Sequence, residues 1–474
     1  MRLISAVRLR PARTSSNGHA TTGDARPDNR LALLDQAFYA GHRAAGQKEA
    51  MQVGWVYEHA IDFEGLRRFH HNLGYGLLGR LIERSPLPFA RHRWVLDRGP
   101  SDIDIAECAR PRAEVSDWFE ECSQLPVDPE TGPGWYVGVL PLTDGSTAVT
   151  LLMSHNVLDG IGGAIEVAKA AMGYTQDFGY PPPRSHTRLR AVIRDVGQAV
   201  RDAPEVARAL VAAAKVFRGR RHDASRSSPA SPPVPRRVDD GADPVIVPGI
   251  WIHIDMDDWD ARAQTLGGAS NTLAAGLTAR LGEHLGRRHA DEGKVAMQLV
   301  VSDRTEGDTR AVAVSFARVS IDPTRVTTDL RDARAAVKQA LKTLRETPDE
   351  SSLLAPLTPF TPKRMWKQLV DEVITDPDFP AVCSILGDIG SEVTRPDGTQ
   401  CEYGYARGLT QHFTRQSLER MGGELRLLYM RLPGLGKVSI SVQAYRPGAE
   451  NTRPALRELA ARTLAEFDLT GEIE

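Results

Sequence analysis

The residues best suited to chemistry stand in one segment, Ser154-His155-Asn156-Val157-Leu158-Asp159-Gly160, an H-x-x-x-D-G pattern. An imidazole with its ordinary pKa of about 6.5 can take up and return a proton near neutrality. Acyl transfer needs that cycle. The acceptor hydroxyl or amine loses a proton as it attacks a thioester carbonyl, and the departing thiolate takes one back. Asp159, four residues on, can fold back to fix the loop or the ring, and Asp-Gly lets the chain turn sharply. With 13 histidines in the chain, roughly 0.1 chance matches to this spacing are expected, so the motif alone is suggestive only. The plain alternative is a surface-loop histidine beside a turn.

The flanking pattern says how the motif is positioned. Trp135 to Leu140 reads as a strand, Thr143-Asp144-Gly145 as a hairpin turn, and Thr147 to Met153 as a second strand that runs directly into His155. Ile161 to Met172 follows as a helix. His155 is thus expected on a loop at a strand end, held by a rigid scaffold. Upstream, Leu31 to Phe38 has helical spacing and Met51 to His59 reads as a strand. Asp62 caps a helix carrying Leu66, Phe69, Leu73 and Leu77.

At 474 residues the chain fits two domains of roughly 200 residues each. Residues 1–30 read as a disordered tail, basic at its start and without the apolar run of a secretory signal. Residues 31–180 form the first unit. Residues 181–248 read as a crossover linker, opened by Pro181-Pro182-Pro183. Within it, Arg188 to Phe217 is a helical stripe interrupted at Pro204, and Ser225 to Arg237 is flexible by composition. The stripe has an apolar row beside Arg188, Arg190, Arg194, Arg201, Arg208 and Arg218. It is open to two readings: an apolar face packed on the core, or a helix lying on an anionic membrane surface.

Residues 249–474 form the second unit. It has strands at Val247 to Ile254, Val295 to Ser302, Val312 to Ile321 and around Val438-Ile440-Val442. Helices follow Ser270-Asn271, which reads as an N-cap, and span Pro454 to Phe467. Strands and helices interleave throughout, so the fold class is mixed α/β.

Hydrophobic residues make up 41% and charged residues 25%, as in globular proteins. A net charge of −2 gives no general reason to expect nucleic acid. Four scattered cysteines form neither a metal motif nor a disulfide framework, so a reducing, cytoplasmic setting and no metal are expected. His70-His71, Asp177-Phe178-Gly179 and Gly434-Leu435-Gly436-Lys437 each lack the companions that would make them functional motifs.

Over residues 31–474 the sequence resembles the bacterial wax ester synthase/diacylglycerol acyltransferase family. That family lies within the superfamily of CoA-dependent acyltransferases and peptide-synthetase condensation domains. The resemblance rests on Leu34-Asp35-Gln36-Ala37-Phe38, Pro88-Phe89-Ala90-Arg91, Leu125-Pro126-Val127-Asp128 with Gly134-Trp135, the His155 motif, Ser270-Asn271, and Val300-Val301-Ser302-Asp303-Arg304. It implies two chloramphenicol-acetyltransferase-like α/β sandwich domains with a tunnel and active site at their interface. His155 would be the catalytic base, with Asp159, Gly160 and Arg304 as structural support, Asp159 pointing away from substrate to pair with Arg304. Ser154, Trp135, Ser270 and Asn271 would line the site.

The resemblance also implies no permanently bound cofactor, acyl-CoA as co-substrate, and a hydroxyl acceptor such as diacylglycerol or a long-chain alcohol. A lipid-handling relative would also suit the second reading of the stripe at 188–221, peripheral contact with the inner face of the membrane. The sequence departs from the family at Ser154, where a first histidine is usual, at Asn271-Thr272, and at Cys383-Ser384-Ile385-Leu386-Gly387. Two alternatives follow: a stand-alone condensation-type enzyme using carrier-protein thioesters, and an inactive binding homologue.

Overall fold

A computed structural model describes residues 29–185, 187–224, 244–288, 293–347, 353–362, 364–366, 368 and 380–474. Most of the expected N-terminal tail and the Ser225 to Arg237 linker lie outside these residues. Strands run in chain order as β1 Lys48–Tyr57, β2 Arg80–Glu83, β3 Arg93–Leu96, β4 Asp104–Ile105, β5 Trp135–Pro141, β6 Thr147–Ser154, β7 Gly249–Asp255, β8 Val295–Ser302, β9 Val314–Ile321, β10 Ala381–Asp388, β11 Tyr403–Gln411, β12 Glu424–Leu432, β13 Lys437–Tyr445 and β14 Glu472–Ile473. The helices are α1 Leu33–Ala45, α2 Phe63–Leu73, α3 Val115–Ser123, α4 Gly160–Ala171, α5 Arg188–Ala224, α6 Met256–Thr265, α7 Ser270–His284, α8 Arg331–Glu346, α9 Arg415–Arg420 and α10 Arg453–Glu466.

Two sheets organise the molecule. The first has strand order β11-β1-β6-β5-β4 and the second β14-β7-β13-β12-β10-β8-β9. In the first, β6 is buried along its whole length, so both faces must be covered. Leu66, Phe69 and Leu73 of α2 and Val167 of α4 cover one face, while Trp118 and Phe119 of α3 cover the other. Over the second sheet pack Trp259 of α6, Leu273 and Leu277 of α7, Ala333 of α8 and Leu456 of α10. The mixed α/β class and the two-lobed sandwich architecture are therefore present.

Contacts cross the expected boundaries in three places. Strand β11 leaves the second half and pairs antiparallel with β1, Met51 opposite Gly408, so the second half completes the first half's sheet. Asn29 and Arg30, read with the tail, are tied to the fold: Trp94 N donates to Asn29 O at 2.6 Å and Arg30 Nη1 reaches Asp195 Oδ1 at 3.2 Å. The crossover is more than a connection, since α5 is docked through Asp195. That carboxylate is fully buried and takes Arg30, Arg93 at 3.3 Å and the Ser85 hydroxyl.

The apolar row of α5 does not pack on the core: Leu189, Ile193, Val196 and Val200 are exposed, and Ala191 is buried instead. Pro204 does not interrupt α5. It sits exposed and one turn after exposed Val200, where solvent can satisfy the carbonyl a proline leaves without its partner.

Removing the Asp195 carboxylate strands the buried Arg93 guanidinium. Asp195→Ala should lower stability by about 3 kcal/mol in urea denaturation, the usual cost of breaking a buried pair from one side. A loss below ~1 kcal/mol would mean that α5 is held by other contacts.

Candidate active site

Strand β6 ends at Ser154, and His155 begins the turn that leads into α4. The His155 N–H donates to Glu49 O at 2.9 Å, and Val157 N closes the turn on Ser154 O at 3.1 Å. The buried Arg80 guanidinium holds the same loop from behind, donating to Val157 O at 3.0 Å, Thr309 O at 2.7 Å and Tyr180 Oη at 3.0 Å while lying 3.9 Å over the Trp94 ring. His155 is thus the half-buried member of an otherwise buried loop.

It opens on a cavity of about 260 Å³ between the two sheets. From the first half come Phe38, Met51, Val53, Trp55, Met153 and Ile161. From the second come Val300, Phe316, Val382, Ile385, Leu428 and Met430. A concave, mostly apolar space with few convergent polar groups is the usual form of a small-molecule site.

Asp159 fixes the far end of the loop. Its carboxylate caps α4 through Gly162 N at 2.7 Å and accepts Ala313 N at 2.8 Å. Arg304, from the second half, meets it as a fork, Nε to Oδ1 at 3.1 Å and Nη2 to Oδ2 at 2.7 Å. The guanidinium's remaining donors go to the carbonyls of Asp308, Arg310 and Ala311 at 3.0–3.2 Å. The Asp159 and Arg304 residues are 1% and 3% exposed, so every polar atom of the pair needs such a partner. Asp159 spends its oxygens here, and no hydrogen bond links it to the His155 ring.

Glycine is needed most at Gly162, where a Cβ would lie 3.0 Å from the Arg304 Cζ. Gly160 opens α4 without a positive φ, and a Cβ there would lie 3.3 Å from Leu386 Cδ2. The sharp turn expected from Asp-Gly is therefore a capped helix start.

A polar cluster beside His155 has no counterpart in the sequence reading. Glu49 at the start of β1 accepts the Thr410 hydroxyl and lies 3.4 Å from Arg426 Nη1. His42 from α1 places Nδ1 3.1 Å from Asn156 Oδ1. Both Glu49 and His42 line the cavity. Burial pushes the Glu49 carboxyl up, but Arg426, His42 and Thr410 outweigh it and hold it below the ordinary value. Burial lowers the His155 pKa below 6.5, and the opposing charge of Glu49 offsets part of that. His155 is therefore a neutral imidazole at pH 7, the form a general base requires.

The sequence-named residues divide in two. His155, Asp159 and Gly160 line the cavity, and Arg304 stands behind Asp159. Ser154, Trp135, Ser270 and Asn271 do not line it. Ser154 lies on the strand face shared with Leu152 and opposite Ala50. Trp135 is fully buried in the first core, edge-on to His70 at 5.0 Å. Ser270 binds Asp260 and accepts Arg431 Nη1 at 2.8 Å, while Asn271 is exposed. Nor does Ser270 cap α7, whose cap position is Ala269, without a side-chain bond. Among the polar cavity residues the sequence reading missed, His42 carries a signal: it falls one turn beyond Phe38, where the helical spacing read over Leu31 to Phe38 would continue. Glu49, Arg426 and Arg80 carried none.

No protein-family model matches the sequence, and no curated protein matches it. Solved structures do. The first condensation domain of the calcium-dependent antibiotic synthetase, in complex with a substrate analogue, aligns at TM-score 0.56 and 13% identity over 94% of this chain and 99% of that one. The chain has the condensation-domain fold. Polyketide synthase associated protein 5 from Mycobacterium tuberculosis aligns at TM-score 0.51 and 15% identity, over 93% and 98% of the two chains. A starter condensation domain of rhizomide synthetase gives 0.51 and 14%, over 93% and 94%. At these identities the likeness is one of fold.

Arg304→Lys keeps the charge and loses the fork. The variant should lose about 3 kcal/mol in thermal or urea unfolding, because one ammonium cannot replace both contacts to Asp159 and those to the carbonyls. Wild-type stability in that variant would show the pair to be dispensable.

Proposed function

We propose that the protein transfers an acyl group from a thioester to a hydroxyl or amino acceptor, with His155 as general base. The observation that carries the reading is the half-buried imidazole, held neutral, opening on an apolar cavity between the two halves of a condensation-domain fold. The acceptor proton passes to the His155 ring as its oxygen or nitrogen attacks the thioester carbon. The C–S bond then breaks, and the imidazolium returns the proton to the departing thiolate. The walls of Met, Val, Ile, Leu and Phe suit an aliphatic acyl chain better than a polar aminoacyl group.

The fold shared with synthetase condensation domains favours a donor thioester carried on a carrier protein, in natural-product assembly. A second reading keeps acyl-CoA as donor and an alcohol as acceptor. It rests on the sequence segments that resemble the wax ester synthase/diacylglycerol acyltransferase family. Thiol release measured with matched acyl-CoA and acyl-carrier thioesters, each with alcohol and amine acceptors, separates the two. No acyl transfer with either donor would overturn both and leave a binding homologue.

With the productive donor, His155→Ala should lose on the order of 10²–10⁴ in rate. Because the folded pKa lies below 6.5 and only the neutral ring is a base, the rate should hold as pH falls through 6.5 and decline only below it. Glu49→Gln removes a charge that stabilises the imidazolium, so its acid limb should move to still lower pH. A limb that stays in place or moves up would show that Glu49 does not act on His155.

A further inference from the structure

Helix α5 shows three separate stripes. Ala191, Asp195, Gln198, Asp202 and Ala209, spaced i, i+4, i+7, i+11, i+18, form the face turned to the protein, where Asp195 and Ala191 are buried and Asp202 pairs with Arg91. Away from it, Leu189, Ile193, Val196, Val200 and Val211, spaced i, i+4, i+7, i+11, i+22, face outward. Leu189 is 71% exposed, Ile193 63% and Val200 69%. Between the two runs a row of exposed arginines, Arg190, Arg194, Arg201 and Arg208. A helix docked by its polar and small residues, with its aliphatic residues in solvent, inverts the usual arrangement of a surface helix. From Leu189 to Val211 the apolar row is about 33 Å long.

The patch does not end with α5. The segment Ala355–Phe360 packs against both α5 and α1, and Leu353, Phe360 and Met365 around it are exposed. The Trp366 ring lies 3.9 Å from the position a Cβ on Gly41 of α1 would take. Helix α1 in turn walls the cavity through Phe38 and His42. One continuous set of contacts thus joins the exposed apolar surface to a wall of the site.

We infer that this face is a docking surface for an anionic lipid bilayer. The apolar row would sink to the acyl boundary, and the arginine row beside it would reach the phosphate headgroups. An interfacial helix needs both parts side by side, and the arginines give the charge complementarity. No described helix is long and apolar enough to cross a membrane, so contact would be at the surface.

The test is co-sedimentation of the full chain with vesicles of phosphatidylcholine alone or mixed with phosphatidylglycerol, read without any substrate and so independent of the acyl-transfer reading. Binding to the anionic vesicles, weakened by salt, is expected. Ile193→Gln with Val200→Gln, and separately Arg190→Glu with Arg201→Glu, should each weaken it by ~10-fold or more while leaving the melting temperature unchanged. The inference is overturned if the chain stays in the supernatant or the variants bind as the parent does. It is also overturned if size-exclusion shows a dimer that Ile193→Gln with Val200→Gln dissolves while vesicles bind neither protein, which would make the stripe a self-association face.

Discussion

The Asp159 carboxylate is the point on which the two halves of the molecule close. It is buried, and a buried carboxylate costs several kcal/mol unless its oxygens are fully engaged. Those donors come from different parts of the chain: Gly162 from its own helix, Arg304 from the strap after β8, and Ala313 from the approach to β9. Satisfying one charge therefore sets the start of α4, the path of the His155 loop and the position of the second-half strap together. The strap is shared further, because Asp35 of α1 accepts Ala311 N at 3.1 Å and Val312 N at 2.8 Å. Helix α1, which carries Phe38 and His42 to the cavity, is thus anchored on the residues that meet Asp159.

A second crossing joins the halves beside His155. Strand β11 brings Thr410 into the first sheet, and Arg426 of β12 reaches from the second sheet to Glu49 and Thr410. The cavity is therefore lined by side chains of both sheets, with the Glu49–Arg426 pair and Asp159 among its polar groups. On the proposed reading, walls of this kind would hold His155 where an acceptor could meet it without first ordering a loop.

The sequence showed most of what depends on local pattern. The hairpin β5–β6, the caps and stripes of α2, and strand β8, whose ends agree residue for residue, all follow from alternation, turn residues and helical period. What stayed hidden depends on long-range pairing. Nothing local in Tyr403 to Gln411 says that it joins β1 across some 350 residues, as the Met51–Gly408 register shows. Arg80 looks like any strand-edge arginine until the Val157 carbonyl and Trp94 are placed against it. The apolar row of α5 has a helical period whichever way it faces, and only the burial of Asp195 turns it outward. Ser270 is not the cap because α7 already includes it, one residue past Ala269, and its hydroxyl meets Asp260 and Arg431 instead.

The serine before His155 can be weighed on the same geometry. Strand residues alternate between faces, so Ser154 shares its face with Leu152, and Met153 shares the cavity's. Its N–H bonds Gly134 O, and its side chain lies on the side of β6 where Ala50, Val127 and Leu409 pack. A larger imidazole there would press on that packing and would not reach into the cavity. The polar company of His155 comes instead from Glu49, His42 and Asn156, which approach from β1, α1 and the loop itself. The departure at Ser154 therefore falls on the face of β6 turned away from the cavity, and the polar groups beside His155 are set by other elements.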